Sequence, residues 1–426
     1  MDMRATRRPR RSQVLPLVMA SSLALAACGS GNSSGSSASS ASPINIGFEA
    51  PLTGTAAAPG KQEVQGWDLG LKVFGDSIDG HKIITYVDDT GGNPTVALSD
   101  ARSLVQQKHI QVMEGPLLAS EDVAVAPFLG AQDVPTDNLA VCGQTQIVDD
   151  ARYGNAMASG WLCDQPDIIA ADYLYTTLGY RHVTVVANDY AFGWLSAGGF
   201  IKQFTMLGGK IDKVLWPPLT TVDFSPYVSA IPKNTQAVFA EVVGAGAIDF
   251  TKAYAQYGLR GNIPLYGNTL LFDYSVLPGE VPSDVLGDQQ IGQYCDGIST
   301  PANNKFVSLF DAAYHVRPGY YAEAAYVHAE LVVEALKRLH GDATNSKAVI
   351  AAMKSTPVVA PRGPVRLNLT VDAPTQNIYV CKVENVHGTL EDVPIKTYSD
   401  VLPWGTLPYK AWQQEYSTDS TGTPSA

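Results

Sequence analysis

Short β-rich runs alternate with helical patterns along the body of the chain, and this alternation constrains the fold more than any other feature. The runs fall at residues 44–48, 83–87, 183–186, 237–243 and 378–382. Between them, apolar residues recur at helical spacing, as at Ala97, Ala101, Leu104 and Val105 and again at Ala324, Val327, Leu331 and Ala335. Such alternation is typical of βαβ units, whose parallel sheets are covered on both faces. Two successive series, divided near residue 163, predict two α/β lobes.

The composition agrees with folded lobes and excludes several classes of protein. Hydrophobic residues make up 45% of the 426 residues and charged residues 16%, which supplies sizeable cores and rules out a largely disordered chain. The formal net charge of -12 argues against a nucleic-acid partner, which needs a basic surface. It also argues against electrostatic binding to anionic lipid.

The N-terminus has the pattern of an export signal. An arginine-rich start precedes an apolar run at residues 14–27, which is shorter than the roughly 20 residues that span a bilayer. Residues 25–28 read LAAC and resemble the lipobox of bacterial lipoproteins, whose cysteine carries the lipid. We therefore expect a signal peptide at residues 1–27, a lipidated Cys28, and a flexible Gly/Ser tether within residues 28–43. Because the start contains paired arginines, export by the general secretory (Sec) pathway and export by the twin-arginine pathway remain alternatives.

The ordered motifs of the body resemble those of a known family. They read IGFEAPLTG at 46–54, GWDLGL at 66–71, YVDDTGGNP at 86–94, EGP at 114–116 and NDYAFG at 188–193, before a long helical segment that starts near Tyr320. In this order and spacing they resemble the extracytoplasmic solute-binding proteins of ABC importers, of the branched-chain amino-acid and amide type. The resemblance implies an α/β protein with the type I periplasmic-binding-protein fold. In that fold, two flavodoxin-like lobes with parallel central sheets are joined by three hinge crossings.

The resemblance also implies where the lobes begin and end. Lobe 1 would comprise residues 44–162 plus 297–373, and lobe 2 residues 165–293 plus 378–400. The crossings would then fall near residues 161–165, 294–297 and 372–378. Residues 401–426 would form a C-terminal tail, in which Trp404, Tyr409, Trp412 and Tyr416 are candidates for packing.

By the same resemblance, the chain captures a small solute between its lobes and delivers it to the permease subunits of an ABC importer. The solute would be an apolar or aromatic compound, namely an amino acid, an amide or an organic acid. We expect a monomer, anchored by its N-terminal lipid to the outer face of the cytoplasmic membrane, that is not an enzyme and needs no cofactor. A ligand-presenting sensor component and an exported α/β enzyme remain as alternatives.

Catalytic and metal motifs are missing from the sequence. No local pattern joins a nucleophile to its base, and the histidine and cysteine spacings are not those of a zinc site, so we expect no metal. The 7 histidines are expected at the surface or only lightly buried.

Besides Cys28, the remaining cysteines suggest two disulfides in an exported chain, with three possible connectivities. The family resemblance favours Cys142–Cys163 and Cys295–Cys381, because these residues would lie beside the crossings.

The candidate ligand-binding residues are those expected at the carboxyl ends of the strands, where α/β sheets bind ligands. They are Ala119, Ser120, Asn138, Leu139 and Trp161 on the first lobe and its crossing, and Tyr190, Phe192, Gly244, Asn268 and Phe272 on the second. This set has aromatic rings and two amides but no charged side chain, which favours an apolar or aromatic solute. Amino-acid binders of the family use loop hydroxyls and a lobe 2 acid. The scarcity of both here argues against a free α-amino acid.

Overall fold

The computed structural model describes residues 41–138, 140–141 and 154–414, and two large β-sheets organise this part of the chain, besides a small parallel sheet formed by Ala140–Val141 and Trp161–Leu162. The elements up to the first crossing are β1 (Ile44–Ala50), α1 (Ala57–Phe74), β2 (Ser77–Ile78), β3 (His81–Asp89), α2 (Pro94–Gln107), β4 (Val112–Glu114), α3 (Ala119–Ala131), β5 (Thr136–Asp137), β6 (Ala140–Val141), β7 (Ala156–Met157) and β8 (Trp161–Leu162).

The elements that follow build the second sheet and its helices. They are α4 (Gln165–Asp172) with a π-helical turn (Tyr173–Thr177), β9 (His182–Ala187), α5 (Ala191–Met206), β10 (Lys210–Leu215), α6 (Ser225–Ser229), β11 (Ala237–Glu241), α7 (Ala245–Gln256), β12 (Leu265–Asn268), a 3-10 turn (Leu277–Gly279), α8 (Pro282–Val285) and β13 (Gln289–Gly292).

The remaining elements return to the first sheet and cross back again. They are α9 (Pro301–Tyr314), α10 (Tyr320–Arg338), α11 (Ser346–Lys354), β14 (Val358–Ala360), β15 (Gly363–Asn368), β16 (Ala373–Val386), β17 (Thr389–Val401) and α12 (Tyr409–Gln413).

The first sheet has the strand order β2-β3-β1-β4-β5-β7, with parallel pairing everywhere except at the short edge strand β2. The second has the parallel order β10-β9-β11-β12-β13, and β16 then pairs with β13 in the antiparallel sense. The α/β class and the two lobes are thereby confirmed. The predicted strands correspond to β1, β3, β9, β11 and β16, although the run 237–243 extends two residues past the end of β11.

Helices α1 and α10 cover the first sheet and approach each other closely at glycines. A Cβ atom at Gly66 would collide with the carbonyl oxygen of Ala322, and one at Gly70 with the side chain of Ala329. On its other side, α1 places Trp67 in the lobe core, where its indole N–H donates to Thr85 Oγ1 at 2.9 Å. This close packing holds the first half of α10 against the second half of α1.

A buried polar network links the segments that run between the two sheets. The Arg362 guanidinium donates to Glu323 Oε2 at 2.5 Å, to the Ser159 carbonyl oxygen at 2.6 Å and to Gln376 Oε1 at 2.9 Å. Gln376 in turn donates to Gln165 Oε1 at 2.8 Å. Strand β16 pairs with β15 at its start and with β13 further on, so it runs from one lobe into the other. The exact lobe boundaries remain predictions.

One of the two predicted disulfides is confirmed. Cys295 and Cys381 are bonded, with their Cα atoms 6.5 Å apart, and they link the segment after β13 to β16. Cys163 is also disulfide-bonded, but Cys142, its predicted partner, lies outside the described residues. Cys28 and the tether lie outside them as well.

The C-terminal tail packs against the segment that runs from β8 into α4. Trp412 is fully buried with Leu162, Ile168 and Val371, and its indole N–H donates to Asp164 Oδ2 at 2.8 Å. Tyr416 lies outside the described residues.

The expectation that every histidine lies at or near the surface is wrong for His328. This residue is buried in α10, and its Nδ1 lies 3.0 Å from Glu114 Oε2. Burial, together with the nearby Arg362 charge, lowers the pKa of His328 to about 3, so the imidazole is neutral.

Candidate functional site

Five aromatic rings meet where the two lobes face each other, and we call Trp161, Tyr190, Phe192, Tyr320 and Tyr321 the interlobe aromatic cluster. The Trp161 ring lies 5.3 Å from Tyr320 and 5.7 Å from Phe192, measured between ring centroids. Tyr190 lies 5.9 Å from Phe192, and Tyr320 lies 5.4 Å from Tyr321. Tyr190 and Phe192 follow the carboxyl end of β9, Trp161 begins β8, and Tyr320 and Tyr321 begin α10. The carboxyl edge of an α/β sheet is where such proteins bind ligands.

The backbones of the two lobes also touch around this cluster. The Ala245 N–H donates to the Thr55 carbonyl oxygen at 3.3 Å, which joins the start of α7 to the loop before α1. The Tyr320 N–H donates to Asp273 Oδ2 at 2.5 Å, which joins the start of α10 to the segment after β12. The lobes are therefore closed on each other in this structure.

Gly244 makes the first of these contacts possible. It has φ +60°, a conformation that favours glycine, and a Cβ atom there would press on the Thr55 carbonyl group. The glycine turn at the end of β11 is thus a point of contact between the lobes.

The predicted residues of the first lobe lie close to the cluster, but one amide is already engaged. Ala119 and Ser120 begin α3, directly after the loop that follows β4, and Ala119 is buried with Trp161 in one hydrophobic cluster. Asn138 donates its side-chain amide to Asp122 Oδ1 at 2.6 Å, within its own lobe. Leu139 lies outside the described residues.

The predicted residues of the second lobe divide into two groups. Tyr190, Phe192 and Gly244 lie at the contact between the lobes, and Asn268 is fully buried at the end of β12. Phe272, by contrast, packs in the core of the second lobe, in the same cluster as Phe250 and Leu277. Leu270 belongs to the hydrophobic cluster between the lobes instead, so the ring predicted at position 272 is separate from the others.

Several residues of the site escaped prediction. Tyr320 and Tyr321 begin α10, and their only signal in the sequence was the start of a long helical segment. Glu63 on α1 and Glu121 on α3 are also buried here and were not among the predicted site residues. Burial, reinforced by Glu121, raises the pKa of Glu63 well above its usual range, and burial also raises the pKa of Glu121. Both acids are therefore held towards their neutral forms.

Tyrosines of the cluster remain protonated donors. Burial raises the pKa of Tyr320 and of Tyr321, and carboxyl groups nearby, Glu63 among them, add to the effect. Burial also raises the pKa of Tyr190, with further contributions from Glu241 and Glu121.

Three buried donors at the site have no hydrogen-bond partner among the described residues. They are the indole N–H of Trp161 and the side-chain amides of Asn268 and Gln293. Buried polar groups in folded proteins are nearly always bonded, so a concentration of unbonded donors between two lobes indicates a place for another molecule. The side chains offer aromatic faces and neutral donors, which suit binding rather than bond-breaking chemistry.

Other types of site lack support in the part of the chain that the structure describes. No group of three or more histidine, cysteine, aspartate or glutamate side chains there is arranged to hold a metal ion. Within the same residues, no helix has the length and apolar character to cross a membrane.

Comparison with known proteins gives a consistent result. The family model of the periplasmic binding protein matches residues 43–388. A protein of Brucella melitensis named Leu/Ile/Val-binding protein homolog 6 is 27% identical over 363 residues, which cover 83% of this chain and 91% of the relative.

Solved structures agree with that match. The ABC transporter substrate-binding protein from Sphaerobacter thermophilus is 30% identical with a TM-score of 0.78, covering 84% of this chain and 98% of the other. A solute-binding protein of an ABC transporter from Rhodopseudomonas palustris, in complex with 3,4-dihydroxybenzoic acid, is 28% identical with a TM-score of 0.79, covering 85% and 98%. The chain therefore belongs to the periplasmic binding protein family and is an extracytoplasmic solute-binding protein of an ABC transporter, a binding component rather than an enzyme.

Proposed function

We propose that the chain captures a small aromatic or apolar organic acid between its two lobes and presents it to the importer. The observation that carries this proposal is the interlobe aromatic cluster, with unbonded donors beside it. Aromatic side chains bind flat apolar solutes through large contact areas, and a few placed donors orient the polar end.

The acidic end of the solute fits the donors that are present. Trp161, Asn268 and Gln293 offer N–H groups that need acceptors, and a carboxylate supplies two acceptor oxygens. The first turn of α3, at Ala119 and Ser120, presents backbone N–H groups, and Ala119 belongs to the same buried cluster as Trp161. The 3,4-dihydroxybenzoic acid bound by the Rhodopseudomonas palustris protein belongs to this chemical class.

The lipid anchor and the arrangement of the chain are part of the proposal. We infer that Cys28 carries the lipid, that the tether within residues 28–43 holds a monomeric body off the membrane, and that the lobes comprise residues 44–162 plus 297–373 and 165–293 plus 378–400. Mass spectrometry of the mature protein should find Cys28 as the N-terminal residue with added acyl mass. A mature N-terminus elsewhere would contradict the anchor without affecting the solute.

A thermal-shift screen tests the solute class. The panel contains benzoate, 4-hydroxybenzoate, phenylacetate, L-leucine, acetamide and, as an unrelated solute, glucose. A solute at 100 times its Kd stabilises the folded protein by about 2.7 kcal/mol, which gives a clear shift. We expect the aromatic acids to give the largest shifts. A shift with glucose alone, or with none of the acids, would contradict the proposal.

A pair of tryptophan variants locates the binding. Trp161→Phe keeps a ring but removes the unbonded indole N–H, and we expect about tenfold weaker binding of the aromatic acid. Trp404→Phe changes a tryptophan whose ring contacts, among the described residues, are with Tyr409 and Trp412 of the C-terminal tail, and should leave affinity unchanged. Equal affinities for both variants would place the solute elsewhere.

A further inference from the structure

Glu63 is buried in the second turn of α1 without any hydrogen-bond partner. Its residue is 1% exposed, and neither carboxyl oxygen has a partner among the described residues. Of the other buried carboxyls at this edge of the first sheet, Glu49 at the end of β1 also lacks a partner, whereas Glu114 and Glu121 each have one. Glu114 contacts His328, and Glu121 accepts the Leu118 N–H at 3.3 Å. Glu63 therefore carries an unmet capacity for hydrogen bonding.

Its position places this carboxyl beside the cleft. The preceding residue, Gln62, accepts the Gly319 N–H at 2.6 Å, so this turn of α1 lies against the start of α10. Gly66, one turn later, contacts Ala322. Glu63 is thus level with Tyr320 and Tyr321, and its carboxyl is close enough to raise the pKa of both tyrosines.

The other acidic groups around Glu63 define the same edge. Its carboxyl raises the pKa of Glu114, which ends β4, and Glu121 raises the pKa of Glu63 in turn. The carboxyl edge of a parallel sheet is where α/β proteins bind ligands. Glu63 is therefore at the ligand edge of the first lobe and not on the outer face of α1.

A second, independent observation points to a ligand at the same place. Trp161 and Gln293, which are 1% and 0% exposed, each have an unbonded N–H group. The Trp161 ring lies 5.3 Å from the Tyr320 ring, and the Gln293 side chain lies close to the Tyr320 hydroxyl. Unsatisfied groups of both kinds, donors and a carboxyl, thus surround one tyrosine.

A purely structural role accounts poorly for Glu63. An unbonded buried polar group destabilises a fold by about 1–3 kcal/mol, and an apolar residue in the same helix position would avoid this. Neither a salt bridge nor a helix cap uses this carboxyl among the described residues. A group that arrives with the solute would satisfy this carboxyl.

We propose that Glu63 recognises a hydrogen-bond donor on the solute, a hydroxyl or an amine, and so selects solutes that carry one. The inference rests on the proposed function, since it concerns the same cleft. The two donor types differ in their effect on protons. A hydroxyl bonds to the neutral acid with no change in protonation, whereas an ammonium group favours the ionised acid, and Glu63 then releases one proton on binding.

Matched pairs of probes test the inference. Benzoate and 4-hydroxybenzoate differ by one hydroxyl, and 4-methylpentanoate and L-leucine differ by one amine. Isothermal titration calorimetry should show that, in one of the two pairs, the wild-type protein binds the member that carries the donor with about tenfold higher affinity. A factor of about ten is the contribution expected from one hydrogen bond. In Glu63→Leu that preference should disappear, while affinity for the member without the donor stays within a few fold.

The control is Glu280→Leu, which removes a different buried carboxyl, bonded to Thr251 in the second lobe, and should keep the preference. Titration in two buffers of different ionisation enthalpy then identifies the donor. If the preferred pair is that of L-leucine, binding should release one proton from the wild type and none from Glu63→Gln. If the preferred pair is that of 4-hydroxybenzoate, binding should release none from either.

Each other outcome has a definite meaning. A preference that survives in Glu63→Leu, or no preference in either pair, overturns the role of Glu63 while leaving the proposed function intact. A Glu63→Leu protein that fails to fold also overturns it, because the acid would then be required by the fold. If none of the four probes binds the wild type, the proposed solute class itself is contradicted.

Discussion

Removal of the Arg362 guanidinium should destabilise the protein far more than removal of an exposed arginine from a similarly short ion pair. Arg362 and Glu323 are both fully buried, and the guanidinium also bonds the Ser159 carbonyl oxygen and Gln376. In Arg362→Ala these acceptors lose their donor inside the protein. Breaking a buried ion pair by removing one partner destabilises a fold by about 3–5 kcal/mol, and we expect a loss in that range.

The control is Arg366→Ala, four residues later. Arg366 contacts Asp400 at 2.5 Å, but the two side chains are 66% and 68% exposed, so solvent screens the pair. Exposed pairs contribute about 0–1 kcal/mol. Chemical denaturation, followed by circular dichroism, measures both variants against the wild type.

A third variant separates the lost charge pair from lost packing. Burial raises the pKa of Glu323 despite the Arg362 charge beside it, so this acid has no favourable charged state once the arginine is gone. Arg362→Met combined with Glu323→Leu removes both charges and should recover most of the stability lost in Arg362→Ala. Equal losses in Arg362→Ala and Arg366→Ala would refute the reasoning.

Three further predictions follow from individual residues. Burial is the main cause, and nearby carboxylates a smaller one, of a pKa of about 9 for Glu49 in the folded protein. The folded protein therefore keeps a proton on Glu49 at pH values above 4.5, the usual pKa of a glutamate, where the unfolded chain has released it. The free energy of unfolding should therefore fall as the pH rises between these values, and Glu49→Gln should reduce that decline in pH-dependent denaturation. Tyr190→Ala should weaken solute binding by about 1–3 kcal/mol, as measured by calorimetry. Tyr257→Ala, which removes a half-exposed ring, should leave the affinity unchanged. Unchanged affinity in a folded Tyr190→Ala protein would show that this ring is not part of the site. Trp412→Ala should lower the free energy of unfolding by about 3–5 kcal/mol, because the ring is fully buried against the segment that runs from β8 into α4, and a loss below about 1 kcal/mol would mean that the tail contributes little.

The fold was predictable because its signals are local. Runs such as 183–186 and 237–243 are β-rich over a few residues, and the apolar residues of α2 and α10 recur at helical spacing. The Cys295–Cys381 disulfide followed from the family resemblance and not from spacing, since the two residues are 86 positions apart.

The candidate site was less predictable because burial and pairing depend on distant segments. Phe272 follows a strand just as Leu270 does, and only the tertiary packing assigns one to the lobe core and the other to the contact between lobes. Glu63, between Gln62 and Val64, has the local pattern of a solvated helix face. Its burial arises from α10, which lies more than 250 residues later in the chain.

The Arg362 network was not predictable for the same reason. Arg362 and Gln165 are joined through Gln376, and the hydrogen bond between the two glutamines spans 211 positions. No short-range pattern indicates such a network.

A crystal structure of the protein with the tightest-binding solute of the thermal-shift panel would test the central claim most directly. We predict solute density between the lobes, within 4–5 Å of the Trp161, Tyr190 and Tyr320 rings, a distance typical of side-chain contact. The polar end should accept hydrogen bonds from the Trp161 or Gln293 N–H groups. Density at another surface, or an empty interlobe cluster in crystals grown at saturating solute, would contradict the account.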